Sequence, residues 1–278
     1  MRWQGRRQSS NVEDRRGLSP KGMVGGGIGT IAIVIVVLLL GGDPTSILQN
    51  VSSDTGSSNY TESAEDKELA QFVSVVLAET ENVWDKIFSE QGETYRKPIL
   101  VLYSGKVESA CGVAGSSTGP FYCPADEKLY IDLSFYNELQ QKFKAPGDFA
   151  MAYVIAHEVG HHIQNLTGTM DKMNQLRSRV SEQEYNKYSV RLELQADFYA
   201  GVWAHYTERL DLLDEGDLEE ALNAASAVGD DRIQKSSQGY VVPESFTHGT
   251  SEQRKKWFYK GFTTGDINQG NTFNTNNL

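Results

Sequence analysis

The longest apolar stretch of the chain lies near its start. Between Lys21 and Asp43 the sequence GMVGGGIGTIAIVIVVLLLGG carries no charge, and Thr30 is its one strongly polar side chain. These 21 residues are enough to cross the core of a bilayer as a helix. The pattern therefore predicts a transmembrane helix over 22–42. A cleaved signal peptide is the alternative, although its apolar region would usually be shorter.

Charged residues before this stretch indicate its orientation. Glu13 and Asp14 are acidic, whereas six residues are basic: Arg2, Arg6, Arg7, Arg15, Arg16 and Lys21. Because basic residues beside a membrane span are retained in the cytoplasm, we expect residues 1–21 to form a cytoplasmic tail of a single-pass protein. Residues 43–63, rich in Ser, Thr, Asn and Gly, predict a flexible linker to a domain outside the cytoplasm.

Beyond the linker, the spacing of apolar residues predicts one helix-dominated α+β domain over 64–264. The run KPILVLYSG (97–105) predicts a buried strand, and the alternation in EKLYIDLSFY (127–136) predicts a half-exposed one. Periodicity and capping signals predict helices over 63–91, 148–167, 181–206, 217–228 and 250–262. The polar residues 265–278 have the composition of a disordered tail.

The charge balance excludes one class of partner. Without the residues before the apolar stretch, 20 basic and 35 acidic residues remain, a net charge of −15. So acidic a domain is not expected to bind nucleic acid.

Two cysteines, Cys111 and Cys123, enclose a segment rich in Gly and Ser. In an oxidising compartment outside the cytoplasm they are expected to form a disulfide that restrains this loop. Free or metal-bound thiols are the alternative, but the spacing matches no zinc-knuckle pattern.

Three of the five histidines of the chain fall in AHEVGHHIQNLTG (156–168). His157, Glu158 and His161 form an H-E-x-x-H pattern on a predicted helix, where positions i and i+4 share a face, so both imidazoles can bind one Zn²⁺. Glu158, beside the metal, can then take a proton from a zinc-bound water and pass it to the leaving amine. The preceding apolar run FAMAYVIA indicates that the helix is buried, where imidazoles need a partner.

A catalytic zinc requires a third protein ligand, and a second buried helix offers one. In VRLELQADFYAGVW (190–203), Glu193 and Asp197 lie one turn apart. We assign Glu193 to the metal and Asp197 to a supporting role, accepting an N–H bond from one of the histidines. Ala196 between them is small enough for two helices to approach closely.

These motifs carry a resemblance to a known family. HEVGH (157–161) followed by ELQAD (193–197) resembles the E-x-x-A-D subclass of gluzincin metallopeptidases. The whole chain is similar to the membrane-anchored neutral zinc metallopeptidase family of bacteria, through MRWQGRRQSSNVEDRRG, GPFYCPADEKLYIDLSFY, HEVGHHIQNLTG, LELQADFYAGVW and FTHGTSEQRKKWFYKGF. The resemblance implies a zincin-like fold and a zinc-dependent peptidase.

The remaining histidines are weaker candidates. His248 lies on a loop before a helix, where its imidazole could hydrogen-bond the tetrahedral oxyanion, a role that related gluzincins give to a downstream histidine; an exposed loop histidine is the alternative. His162 points about 100° away from His161 and is expected to be a surface or packing residue. His205 lies near the end of the second long helix and is expected to interact with the dipole at that helix's C-terminus.

The sequence thus predicts a zinc metalloendopeptidase with one Zn²⁺, anchored in the bacterial inner membrane, with its domain in the periplasm or outside the cell. Its substrate, a protein or peptide, would lie along the strand near residues 128–133. Two alternatives stay open: a catalytically inactive zinc-binding module that recruits an envelope protein, and an interaction domain without metal.

Overall fold

The computed structural model describes residues 1–17 and 62–278. The predicted transmembrane helix over 22–42 and residues 43–61 of the predicted linker lie outside these ranges. Among the helices of residues 1–17 and 62–278, none combines the length and the apolar composition that a membrane crossing requires.

Eight α-helices in the described ranges supply most of the fold. They are α1 (Ala64–Glu90), α2 (Phe135–Gln141), α3 (Asp148–Leu166), α4 (Thr169–Arg177), α5 (Glu182–Arg209), α6 (Asp217–Ala227), α7 (Asp230–Gln238) and α8 (Ser251–Thr264). All five predicted helices are confirmed. Ser63 and Thr250 form capping boxes at the starts of α1 and α8, and the Ser181 side chain caps α5. The short helices α2, α4 and α7 were not predicted.

The strands form one mixed sheet and one hairpin. They are β1 (Val12–Asp14), β2 (Ile99–Tyr103), β3 (Lys106–Ser109), β4 (Gly112–Gly115), β5 (Phe121–Cys123) and β6 (Lys128–Asp132). The sheet order is β1-β2-β6-β5; β2 is parallel to β1 and to β6, whereas β5 is antiparallel to β6. Strands β3 and β4 pair only with each other in the described ranges. The helix-dominated α+β prediction is therefore confirmed.

Both faces of the central strands are buried. Leu100 and Leu102 of β2 face the large core that the helices build. Val101 and Tyr103 face a smaller core beneath the β3–β4 hairpin, together with Tyr130 of β6. The disulfide between Cys111 and Cys123 is present and joins the hairpin region to β5, which confirms the predicted pairing.

The prediction of a half-exposed strand at 127–136 is wrong. β6 does form, but Tyr130 is 1% exposed and Asp132 is 7% exposed. The hairpin covers the face that carries these residues, and β2 and β5 pair with both edges of β6. Consequently residues 128–130 of β6 are paired on both edges and offer no free edge to a substrate strand, so that expectation is corrected as well.

The separate N-terminal tail predicted over residues 1–21 is also wrong for residues 1–17. Met1 and Trp3 belong to the main core, and β1 is an edge strand of the sheet. The Met1 amine lies 3.1 Å from carboxylate oxygens of Asp148 and Asp217. The charge pattern indicated a tail because it could not show that these residues have partners far along the chain.

The C-terminal residues are ordered rather than disordered. Thr272 is completely buried and its hydroxyl donates to the Arg191 carbonyl at 2.6 Å. The Gln195 amide donates to the Gly270 carbonyl at 2.9 Å. The polar residues that suggested a disordered tail therefore bind polar groups of α5.

Helix α5 is the centre of the helical layer, and both α3 and α8 pack against it. A Cβ atom on Gly201 of α5 would lie 2.0 Å from the Phe258 carbonyl oxygen of α8. A Cβ atom on Gly261 of α8 would lie 2.1 Å from the Phe198 carbonyl oxygen of α5. The backbones of α5 and α8 thus touch without intervening side chains, which brings the polar groups of both helices close together.

Candidate metal centre

The H-E-x-x-H pattern lies in the buried middle of α3. Residues 149–153 before it are at most 1% exposed, and His157 and Glu158 are 6% and 8% exposed. His157 and His161 share one face of the helix, with ring centroids 4.8 Å apart. The apolar first half of α3 therefore holds two imidazoles and a carboxylate away from bulk water.

Glu193 of α5 completes a cluster of three metal-binding side chains. Its Oε2 lies 3.2 Å from His157 Nε2, and its Oε1 lies 3.5 Å from His161 Nε2. One ligand atom from each of the three residues falls within 4.8 Å of the others, so His157, His161 and Glu193 could hold a metal ion. The structure thus brings together the three residues that the sequence predicts as ligands.

A close contact between α3 and α5 makes this arrangement possible. A Cβ atom on Gly160 would lie 2.9 Å from the Ala196 carbonyl oxygen and 3.0 Å from its Cα, which is closer than side chains normally approach. Gly160 is the fourth residue of HEVGH (157–161), and Ala196 follows Glu193 by three positions. The missing side chain lets Glu193 reach both histidines from the neighbouring helix.

Asp197 orients His157, as the sequence predicts for one of the histidines. Asp197 is completely buried, and its Oδ1 lies 2.9 Å from His157 Nδ1. The carboxylate oxygen accepts, so Nδ1 carries the proton and Nε2 faces Glu193. Tyr153 also donates its hydroxyl to Asp197 Oδ1 at 2.5 Å.

An arginine that sequence reasoning missed holds Asp197 in place. Arg254 of α8 is 3% exposed; its Nε donates to Asp197 Oδ2 at 2.8 Å and its Nη2 to Oδ1 at 2.9 Å. Such a two-point contact fixes the plane of the carboxylate. The signal was present in the sequence, because Arg254 lies at helical spacing from the apolar residues Trp257, Phe258 and Gly261 and so shares their buried face.

Gln164, also missed, orients the second histidine. Its Nε2 donates to the Leu192 carbonyl at 2.6 Å, which leaves its Oε1 to accept from His161 Nδ1 at 2.9 Å. His161 Nε2 is therefore the nitrogen directed toward Glu193. Each histidine thus has one nitrogen held by a protein acceptor and one directed toward the cluster, the usual arrangement of metal-binding histidines.

The charges of this cluster are strongly coupled. Burial alone would lower the pKa of His157, but the Asp197 carboxylate raises it to about 9. Burial alone would raise the pKa of Asp197, but the Arg254 guanidinium and His157 hold it at about 2. The pKa of Glu193 is well below its usual range because the neighbouring histidines outweigh its burial. The cluster therefore stabilises ionised carboxylates deep in the protein.

His248 is held by Asp230 on the loop before α8, near enough to Glu193 for their charges to interact. Its Nδ1 lies 3.1 Å from Asp230 Oδ1, and the backbone N–H groups of residues 247–249 donate to Asp230 Oδ2 at 2.7, 2.7 and 3.1 Å. Burial lowers the pKa of His248, but the charges of Glu193 and Asp230 raise it above its ordinary value. Asp230, the first residue of the unpredicted helix α7, was missed by sequence reasoning.

The two other histidines serve packing and hydrogen bonding. His162 is fully buried between Tyr95 and Tyr122, and its ring nitrogens bond the Tyr122 hydroxyl and the Arg96 carbonyl. His205 Nδ1 lies 2.7 Å from the Phe262 carbonyl near the end of α8, so it bonds a neighbouring helix and not the C-terminus of its own helix α5.

Comparisons with known proteins extend over nearly the whole chain. The family model described as "Putative neutral zinc metallopeptidase" matches residues 1–273. The uncharacterized protein YpfJ of Escherichia coli (strain K12) is 51% identical over 98% of this chain and 99% of its own length. The uncharacterized protein Rv2575 of Mycobacterium tuberculosis (strain H37Rv) is 39% identical over 87% of this chain and 86% of its own length. No solved structure matches the chain at a significant level.

Proposed function

This chain belongs to the neutral zinc metallopeptidase family, and we propose that it is a zinc metalloendopeptidase that hydrolyses peptide bonds in proteins or peptides. The observation that carries the proposal is the convergence of His157, His161 and Glu193 from two helices. Glu158, the candidate base, lies in the same buried turn as the first histidine.

The donor set fits zinc in its chemistry. Two imidazoles and one carboxylate are ligands typical of a catalytic zinc site that keeps one position open. Glu193 Oε2 lies 3.2 Å from His157 Nε2, and Glu193 Oε1 lies 3.5 Å from His161 Nε2. One ligand atom from each of the three residues lies within 4.8 Å of the others. His157, His161 and Glu193 would therefore hold the ion.

When bound, zinc supplies Lewis acidity that makes a water molecule acidic near neutral pH and polarises the substrate carbonyl. Glu158 is proposed to take the proton of the attacking water and to deliver it to the leaving amine. Protonated His248, held by Asp230, is proposed to hydrogen-bond the oxygen on which negative charge develops. Asp197 and Arg254 position His157 and touch no reacting atom.

The substrate is proposed to bind along β5. In the described ranges β5 is an edge strand of the sheet, and it packs against α3, which carries the candidate base. An extended peptide can add backbone hydrogen bonds at such an edge. This replaces β6 with β5 as the strand that aligns the substrate. Contact with the membrane through residues 22–42 is proposed as well, on the strength of their apolar sequence.

The test compares wild type with Glu158→Gln in the purified full chain, measuring zinc content and cleavage of an unfolded protein. Glu158→Gln is expected to bind zinc like wild type and to lose cleavage by at least about 100-fold. Glu208→Gln, an exposed change of the same kind on α5, serves as the control and should behave like wild type.

Two results would contradict the proposal. Full, chelator-sensitive cleavage by Glu158→Gln would remove the general base from the mechanism. Stoichiometric zinc without cleavage of any unfolded protein by wild type would support the inactive zinc-binding module instead.

A further inference from the structure

Residues 1–17, here called the N-terminal segment, are built into the domain by backbone pairing. β1 runs parallel to β2 with Val12 opposite Leu100 and Asp14 opposite Leu102. The pairing continues on both sides, since Leu100 N–H donates to the Asn11 carbonyl at 2.9 Å and Arg15 N–H donates to the Leu102 carbonyl at 2.8 Å. The segment thus supplies the outer strand of the four-stranded sheet.

Two buried acidic residues of α1 pair with arginines of the segment. Glu79 and Glu81 are 2% and 1% exposed. Arg6 Nε donates to Glu79 at 2.8 Å, and Arg7 Nη2 donates to Glu81 at 3.0 Å. Asn11 adds a bond to Glu81 at 2.8 Å. A buried carboxylate without such partners is costly, so the segment and α1 are complementary in charge.

Apolar contacts reinforce this complementarity. The Trp3 ring packs edge-on against Phe72 of α1 with centroids 5.5 Å apart. Removing the segment would expose Phe72 and leave the backbone groups of one edge of β2 without partners. The segment therefore contributes an apolar core contact, one strand of the sheet and counter-ions for buried carboxylates, and it is an integral part of the domain.

The point where the segment ends lies beside the point where the domain begins. Arg16 Nη2 donates to Glu62 Oε1 at 2.8 Å, and Arg16 Nη1 donates to the Asp66 carbonyl at 3.2 Å. Arg16 and Glu62, close to the ends of the two described ranges, are therefore in direct contact.

We infer that the N-terminal segment and residues 62–278 fold as one unit on the same side of the membrane. A chain folded in this way cannot keep residues 1–17 in the cytoplasm while its domain lies outside. The basic residues that favoured a cytoplasmic N-terminus have another role, because Arg6, Arg7 and Arg16 are counter-ions of carboxylates in the domain.

Site-specific labelling in intact cells tests the shared compartment. Gln8→Cys in the segment and Ser236→Cys in the domain each place one thiol at an exposed position, while Cys111 and Cys123 are bonded to each other. We expect a membrane-impermeant maleimide to label both single variants equally before cells are permeabilised. Labelling of one and protection of the other, with equal labelling after permeabilisation, would overturn the inference.

A charge exchange in the purified full chain tests the packing independently. Arg6→Glu and Glu79→Arg each place like charges together and should lower the melting temperature. The double variant restores an opposite pair and should recover most of that loss. Strictly additive losses would overturn the inference. Neither measurement involves zinc or cleavage, so failure of the peptidase proposal would leave both readouts unchanged.

Discussion

Replacing Arg254 tests whether the network behind the metal centre controls it. The guanidinium bonds both oxygens of Asp197 at 2.8 and 2.9 Å, and Nη1 donates to the Val228 carbonyl at 3.1 Å. Arg254→Met keeps an apolar side chain of comparable length but removes every one of these donors. Asp197 then remains buried with only His157 and Tyr153 as partners.

Two magnitudes follow from this geometry. Because both Asp197 and Arg254 are almost completely buried, removing one partner is expected to cost about 3–5 kcal/mol of unfolding free energy, out of a total of about 5–15 kcal/mol. Loss of the group that orients a metal-binding histidine typically weakens metal binding about 10–100-fold. Arg254→Lys retains the charge but not the planar two-point contact, so its losses should be intermediate.

The measurements are urea unfolding of the zinc-free protein and competition for zinc with a chelator. Lys255→Met is the matched control, since Lys255 is the exposed neighbour on the same helix and carries the same charge. The double variant Asp197→Asn with Arg254→Met should be less destabilised than the two single losses combined, because neither charge is left alone. An Arg254→Met protein with the zinc affinity and urea midpoint of Lys255→Met would refute the reasoning.

Three further sets of substitutions test the contact between α3 and α5, the pairing of His248 with Asp230, and the disulfide. Gly160→Ala should lower zinc affinity without adding or removing a ligand, because its methyl group would push α3 away from α5. Competition for zinc with a chelator measures the change. Unchanged affinity would show that the close contact between α3 and α5 does not position the ligands. Asp230→Asn removes a charge that raises the pKa of His248. If catalysis requires protonated His248, the pH at which activity is lost on the alkaline side of the pH–rate profile should therefore fall. An alkaline limb of the profile that does not move would exclude that role. Replacing Cys111 and Cys123 by serine should cost about 3 kcal/mol of unfolding free energy in urea, whereas reductant should have no effect on that variant; stability equal to wild type would show that the crosslink restrains nothing.

Elements with local signals were predictable from the sequence. Ser63 and Thr250 could be predicted as helix starts because the hydrogen bonds of a capping box join residues only three positions apart. The same holds for His157 and His161, whose common face follows from helical spacing alone. Glu193 was accessible because it stands on a second apolar helix, where a carboxylate needs a partner.

The remainder depends on contacts between distant parts of the chain. Tyr130 is buried because the β3–β4 hairpin covers one face of β6. The sequence of β6 alone does not predict that the hairpin packs there. Charge counting could not show that Arg7 pairs with Glu81, 74 positions away. Arg254 did have a sequence signal, its helical spacing from Trp257 and Phe258, but a basic residue beside lysines is ordinarily solvated, so that spacing alone did not single it out.

The pairing of β1 with β2 sets an order of events during synthesis. Val12 is synthesised 88 positions before its partner Leu100, so β1 has no edge to join until all of α1 and β2 have been made. This parallel pairing closes a long loop rather than extending a local hairpin, and such contacts form slowly. Residues 12–14 must therefore stay unpaired until β2 has been made. A competing contact that binds them before then would leave the sheet without its outer strand.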